Sequence, residues 1–184
     1  MTAYMILANG FEEIEATYTI ALLRDAGVNL KTVSISSSKE ICSSHDVSLF
    51  ADLSWDECDI YDGDALILPG GQPGTDNLAL YKPLEDVIVH YLNNKIVAAI
   101  CAAPSILGDL GLLNGRTVTC YPDYEDKLKG AIILRDSVVI DNNLITSRGA
   151  GTAADFAFAI ARKMADPSKV KETENKFYGN YVVE

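Results

Sequence analysis

Histidine is scarce in this 184-residue chain: only His45 and His90 are present. Neither follows Cys101, and the residue directly after Cys101 is Ala102. That scarcity argues against the Cys–His hydrolases, cysteine proteases and class I glutamine amidotransferases among them, in which an imidazole takes the thiol proton. Paired cysteine motifs are also lacking. Cys42, Cys58, Cys101 and Cys120 are scattered, none as CxxC, with no histidine at ligand spacing beside them. A zinc site or disulfide framework is therefore not expected; free thiols in a reducing cytoplasm are. No nucleotide-binding GxGxxG or Walker spacing occurs, and no motif calls for a cofactor or a metal. Basic residues are outnumbered, 15 Lys and Arg against 26 Asp and Glu, for a net charge of −11. Without a basic cluster, nucleic acid and anionic membrane surfaces are poor partners, and the acidity reads as solubility. No apolar run approaches the length of a membrane span. The apolar N-terminus, Met1 to Ala8, has no basic leader and is soon followed by Glu12 and Glu13, so it reads as a strand and not a signal peptide. Repeats, low-complexity segments and linkers are absent, which makes residues 1–184 one expected domain.

What is present is a chain 48% hydrophobic, enough for a sizeable core. Ala3 to Ala8 reads as a strand, Phe11 to Ala26 as a helix with Ile14, Tyr18, Ala21, Leu22 and Ala26 on its apolar face, and Asn29 to Ile35 as a second strand. This β-α-β opening implies a parallel sheet. Ser36 to His45 is a loop or short hairpin leading to a strand at Val47 to Leu53, and Asp56 to Gly63 is an acidic connector. Ala65 to Leu68 is a short buried strand ending in Pro69-Gly-Gly-Gln-Pro-Gly74. Leu78 to Asn93 is helical with a break near Pro83, and Ile96 to Ile100 is another buried strand. Short strands are expected at Thr117 to Cys120, Ala131 to Leu134, Val138 to Ile140 and Leu144 to Thr146, the last two joined by an Asp141-Asn-Asn143 turn. A polar helical turn spans Asp123 to Leu128. The Gly-rich Ser147 to Thr152 loop leads to a helix over Ala153 to Met164, with Thr152 or its neighbour as the cap and Phe156, Ile160 and Met164 facing the core. Asp166-Pro167 ends that helix, Val170 to Lys176 forms a last short one, and Tyr178 to Glu184 is a tail.

The chain is organised around Cys101. An apolar strand runs into it, and Pro104 behind it suits a first helical turn, because its missing N–H would have had no partner there. A cysteine on such a turn, with small neighbours at Ala102 and Ala103, has the form of a nucleophile elbow. Nearby backbone N–H groups are free to bind an oxyanion, and the positive end of the helix favours a thiolate. A buried cysteine serving as a small hydrophobe is the competing reading. Three loops leave strand carboxyl ends, at Asn9 to Glu15, Pro69 to Gly74 and Cys101, and in a doubly wound sheet such ends converge on one crevice. With histidine excluded, the partner for the thiol is a glutamate from Glu12, Glu13 or Glu15; the other two stabilise the helix N-terminus.

Gly10-Phe-Glu-Glu-Ile-Glu15-Ala, Leu68-Pro-Gly-Gly71, Ala99-Ile-Cys101-Ala-Ala-Pro and Thr146-Ser-Arg-Gly-Ala-Gly-Thr152 together resemble the ThiJ/PfpI superfamily, most closely its DJ-one branch. The match runs over almost the whole chain in order. It implies a flavodoxin-like, mostly parallel sheet sandwiched by helices, and a homodimer. By motif, Cys101 corresponds to the acidic, oxidation-prone nucleophile and Glu15 to its carboxyl partner, with the N–H groups of Gly71 and Ala102 as the oxyanion site. Gly70, Tyr121, His45 and Arg148 fall at the pocket. The resemblance implies a cofactor-independent glyoxalase or deglycase acting on reactive dicarbonyls such as methylglyoxal. Its alternative is an oxidative-stress sensor or protein-protective factor in which the same cysteine becomes a sulfinate. Two positions depart from the branch: Tyr121 stands where histidine is common, as hydrogen-bond donor or core packing, and His45 where a pocket arginine is expected. Arg148 is expected to hold its glycine-rich loop through a local ion pair.

Overall fold

A computed structural model describes residues 1–179, so most of the expected Tyr178 to Glu184 tail lies outside the described residues. The chain runs β1 (Thr2–Leu7), α1 (Glu13–Asp25), β2 (Asn29–Ser34), β3 (Glu40–Cys42), β4 (Ser48–Phe50), β5 (Leu53–Ser54), β6 (Ala65–Leu68), α2 (Gly74–Leu80), α3 (Pro83–Asn94), β7 (Ile96–Ile100) and α4 (Pro104–Asp109). It continues through β8 (Thr117–Val118), β9 (Ile132–Ile133), β10 (Val138–Asp141), β11 (Leu144–Ser147), α5 (Ala153–Met164) and α6 (Pro167–Phe177). Seven strands form the main sheet in the order β10-β11-β7-β6-β1-β2-β5. All neighbours are parallel except β10 and β11, which form a hairpin through the Asn142 turn. This is the doubly wound, flavodoxin-like α/β fold.

The alternation of side chains along each central strand explains the two helical layers. Ala3, Met5, Leu7, Ile67, Ala98 and Ile100 pack on one face with α1 and α5, through Leu22, Leu23, Phe156 and Ile160. Tyr4, Ile6, Leu66, Leu68, Val97 and Ala99 pack on the other with α3 and α4, through Leu84, Ile88, Tyr91 and Leu107. Strands covered on both faces must be apolar throughout, which is why β6 and β7 read as unbroken hydrophobic runs. Each fully buried Leu, Ile or Val among them contributes roughly 1.5–3 kcal/mol.

Several boundaries differ from the sequence reading. The apolar face of α1 is rotated: Ile14 is 51% exposed and Ala21 is exposed, while Glu15, Ala16, Thr19, Leu22, Leu23 and Ala26 are buried. A buried carboxyl at the head of the face defeats a reading that places charge outside. The single strand expected at Val47 to Leu53 is two: β4 pairs with β3 in a separate hairpin, and β5 joins β2. Asp52 makes the break, its carboxylate taking the Thr32 N–H at 2.8 Å and hydroxyl at 2.9 Å. The helix expected from Leu78 begins at Gly74 and stops at Leu80 before α3 starts at Pro83. The strand at Thr117 to Cys120 ends at Val118, because the Thr119 N–H donates to the Thr146 hydroxyl at 2.9 Å instead of to a strand. Asp166 not only ends α5 but starts α6, accepting the Ser168 N–H at 2.8 Å with Pro167 in the first turn. Thr152 sits at the α5 cap position without capping it; its hydroxyl turns back to Gly149.

β1 and β6 adjoin, and their connections leave toward opposite faces of the sheet. Their carboxyl-terminal loops therefore open the crevice where ligands bind in such folds.

Candidate active site

The crevice is built from three loops tied to one another by their backbones. The Glu12 N–H donates to Gly70 O at 2.9 Å, and the Gly74 N–H to Gly10 O at 3.0 Å. Glycine is required where the loops touch. A Cβ on Gly71, whose φ is +93°, would lie 2.4 Å from Glu12 N, and one on Gly10 would lie 2.5 Å from Pro73 Cδ.

Cys101 follows β7 directly. Its N–H donates to Ser147 O at 2.9 Å, which extends the β7–β11 ladder by one rung. Its own carbonyl accepts the Tyr121 N–H at 2.8 Å. Held at both ends, Cys101 takes a left-handed φ of +65°, a conformation that a side chain disfavours. α4 begins three residues on at Pro104. The expected elbow is thus present, and Cys101 is partly exposed rather than sealed in the core.

The three glutamates have three separate fates. Glu12 is the cap of α1, accepting the Glu15 N–H at 2.7 Å. Glu13 pairs with His45 across 2.8 Å. Glu15, only 1% exposed, turns under the sheet edge to Cys101. Its Oε2 accepts the Gly70 N–H at 2.8 Å, while Oε1 has no hydrogen-bond partner among the described residues. Gly70 is where carboxyl and thiol meet. A Cβ there would lie 2.5 Å from Cys101 Cβ, 2.9 Å from Glu15 Oε2 and 3.1 Å from Cys101 Sγ.

Burial pushes the Glu15 carboxyl up to about 7, against the pull of the Gly70 N–H and the Cys101 thiol. Burial also raises the Cys101 thiol, followed by the charge of Glu15 and its hydrogen bond, to about 12. The N–H groups of Ala102 and Gly71 pull the other way, as the oxyanion role requires. The expected pull of the helix terminus toward a thiolate is outweighed by desolvation and the neighbouring carboxylate while Glu15 is charged, so the thiol is then not the acidic one that the resemblance implies. Once Glu15 holds the proton, that repulsion vanishes and the sulfur keeps its two N–H donors. Near neutral pH the pair passes from holding two protons to holding one, as the carboxyl ionises beside the thiol.

The remaining pocket positions divide. The Tyr121 ring is 48% exposed, which rules out core packing. Gly149, not singled out in the sequence, forms the wall between that ring and the carboxyl. A Cβ on it would lie 3.1 Å from Tyr121 Cδ2 and 3.8 Å from Glu15 Oε1. Its only sequence signal is its place in a glycine-rich loop. His45 is exposed and engaged with Glu13, which raises the imidazole above its ordinary range. Glu12, Glu13 and His45 bring ligand-type atoms within 4.8 Å of one another, although the helix cap and the ion pair already occupy them. Arg148 forms no ion pair among the described residues, contrary to expectation. Its loop is held by the Thr152 hydroxyl, which contacts Ser147 Oγ at 2.7 Å, accepts the Gly149 N–H at 3.2 Å and donates to Gly149 O at 2.9 Å. The four cysteines are free thiols, with Cys120 buried. No helix among the described residues is long and apolar enough to cross a membrane.

A thiol on a strand-to-helix elbow, backed by a buried carboxyl at the switch point of a flavodoxin-like sheet, places the molecule in the cysteine-elbow class of α/β proteins. Residues 1–163 match the model of the DJ-1/PfpI family, and the chain belongs to that family. It is 34% identical over 174 residues to Protein dj-1beta of Drosophila melanogaster, covering 93% of each chain. The crystal structure of Drosophila melanogaster DJ-1beta superposes with a TM-score of 0.91 over 98% of both chains. Protein DJ-1 homolog B of Arabidopsis thaliana is 36% identical over 159 residues, 85% of this chain, which spans only 36% of that longer protein.

Proposed function

We propose that the chain is a Cys101-dependent enzyme of the glyoxalase or deglycase type, acting on reactive dicarbonyls such as methylglyoxal and their early adducts. The observation that carries this reading is the placement of thiol and carboxyl: Cys101 Sγ and Glu15 Oε2 both crowd the same face of Gly70. Every step can then run through groups of this chain. Cys101 sulfur adds to the aldehyde carbon while its proton passes to Glu15. The carbonyl oxygen gains negative charge beside the N–H groups of Gly71 and Ala102, then takes the proton back from Glu15. The regenerated carboxylate removes the hydrogen on the former aldehyde carbon, giving an enediolate, and returns it to the adjacent carbon, while the hydroxyl proton moves from the first oxygen to the second. The product is a thioester, which water cleaves to lactate and free thiol. The sum is methylglyoxal plus water to lactate, with no net oxidation. A carboxyl titrating near 7 suits a group that must accept and donate within one cycle.

A second reading is supported by the partnerless Glu15 Oε1. A sulfur oxidised to sulfinate would accept hydrogen bonds from protonated Glu15 and from the backbone N–H groups, and the protein would act as an oxidation sensor. Lactate formation from methylglyoxal without glutathione, by wild type, Cys101→Ala and Glu15→Gln, separates the two. Turnover lost in both variants supports the enzyme; loss only in Cys101→Ala removes Glu15 as proton carrier. No turnover by wild type, with peroxide converting Cys101 to a sulfinate by mass spectrometry, favours the sensor.

A further inference from the structure

The chain has five arginines. Arg24, Arg116 and Arg162 are each paired with a carboxylate. Among the described residues Arg135 and Arg148 are not, and both line one depression of about 620 Å³, together with Pro122, Asp123, Glu125 and Ile133. Among the described residues, none of its four charged side chains makes an ion pair within 4.0 Å. Two cations and two anions thus share a concavity without neutralising one another. Asp123 is held there by a left-handed backbone, φ +73°.

Two residues of the depression are chain neighbours of residues that contact or flank the Cys101–Glu15 pair. Pro122 follows Tyr121, whose N–H is bonded to Cys101 O, and Arg148 precedes Gly149, the wall between Tyr121 and Glu15. We infer that this depression is a subsite for a zwitterionic, amino-acid-like group carried by the substrate, its carboxylate taken by Arg135 and Arg148 and its ammonium by Asp123 and Glu125. A guanidinium matches a carboxylate through two parallel hydrogen bonds, and unpaired carboxylates opposite it suit an ammonium. A simple anion would meet the two acids as repulsion; a neutral substrate would use none of the four groups. The inference rests on the proposed activity and narrows it, from free dicarbonyls toward dicarbonyl adducts on the side chains of free amino acids, which leave the α-ammonium and α-carboxylate in place.

The test uses an unreactive probe, so that it does not depend on turnover. L-norvaline, pentanoate and n-pentylamine are titrated against the ¹⁵N-labelled protein by NMR. Norvaline is expected to shift the amides around Glu125, Arg148 and Gly149 and to bind about 10-fold more tightly than either singly charged probe. Arg148→Gln and the double variant Asp123→Asn/Glu125→Gln are each expected to weaken norvaline binding about 10-fold. Pentanoate binding as tightly as norvaline, or norvaline binding unchanged or improved in the acid double variant, overturns the inference in favour of a plain anion site. No shift with any probe overturns it outright. Methylglyoxal turnover measured on the same samples reports the activity separately: turnover without norvaline binding sinks only the subsite, and binding without turnover sinks only the activity.

Discussion

The backbone N–H of Gly70 donates to Glu15 Oε2 at 2.8 Å, and the space a Cβ on Gly70 would fill is already held by Cys101. One glycine therefore holds the carboxyl through its N–H and, by lacking a side chain, leaves room for the thiol beside it. Gly70→Ala would force Cys101 Cβ and the Glu15 carboxyl apart, since contacts of 2.5 and 2.9 Å cannot stand. Methylglyoxal turnover should fall by about 100-fold, the usual result of an ångström-scale misplacement. Circular dichroism should remain that of an α/β protein. Turnover within a factor of two of wild type would show that the pair tolerates separation.

Gly149→Ala is expected to be mild by comparison. Its Cβ would press on the half-exposed Tyr121 ring at 3.1 Å, and that ring can swing into solvent. A loss of less than about 10-fold in kcat/KM is expected, and Tyr121→Phe should not rescue it. A loss as large as that in Gly70→Ala would mean that the wall is rigid.

The Glu15 carboxyl makes stability fall as pH rises. Its folded value, about 7, lies above the ordinary 4.5, so between those limits the folded state binds more protons than the unfolded chain. The destabilisation is absent below about 4.5, grows through this window and is complete above about 7, on the order of 3 kcal/mol. Glu15→Gln, which keeps an acceptor for Gly70, should flatten that slope in urea unfolding and be more stable than wild type at about pH 8. Parallel pH profiles for both proteins would contradict a buried, raised carboxyl.

Activity should have the opposite trend. Glu15 must be charged to take the thiol proton, so kcat/KM for methylglyoxal should climb as pH passes about 7 and then level. The rise should be missing from whatever activity Glu15→Gln retains, an activity reduced by about 10²–10⁴-fold. A rise that persists in this variant would assign the ionisation to another group.

Asp52 anchors the sheet edge away from the site. Burial pushes its carboxyl up, but the Thr32 N–H and hydroxyl and the charges of Arg24 and Lys31 outweigh that and hold it below its usual range. Asp52→Ala leaves the Thr32 N–H without this partner and should lower stability by about 1–3 kcal/mol. The difference should shrink as pH falls below about 3.8, where wild type loses the carboxylate too. An equal difference at neutral and low pH would point to packing instead of charge.

The sheet was legible because Ala65–Leu68 and Ile96–Ile100 are short apolar runs bounded by turn residues, a pattern that only a doubly covered strand requires. The elbow was legible for the same reason: a strand ending in a small-residue turn before Pro104 constrains where Cys101 sits. The face of α1 was not, because its most buried end carries Glu15 and its exposed side carries Ile14, inverting the usual correlation of polarity with exposure. The division of labour between Gly70 and Gly71 was also hidden. One N–H serves the carboxyl and the next faces the sulfur, and that depends on a backbone reversal at Gly71 to which two successive glycines give no clue. The loop that carries Arg148 is secured by Thr152, a contact made by a residue that helix-capping rules assign elsewhere.

The left-handed backbone at Cys101 has a consequence for the durability of the protein. At φ +65°, glycine relieves about 1 kcal/mol of strain that any side chain imposes. Against that relief stand the packing of the side chain on the core and the greater freedom of glycine in the unfolded chain. The residue proposed to carry the chemistry is thus also the one that holds the chain in a disfavoured turn, so durability and any reactivity are set at a single position.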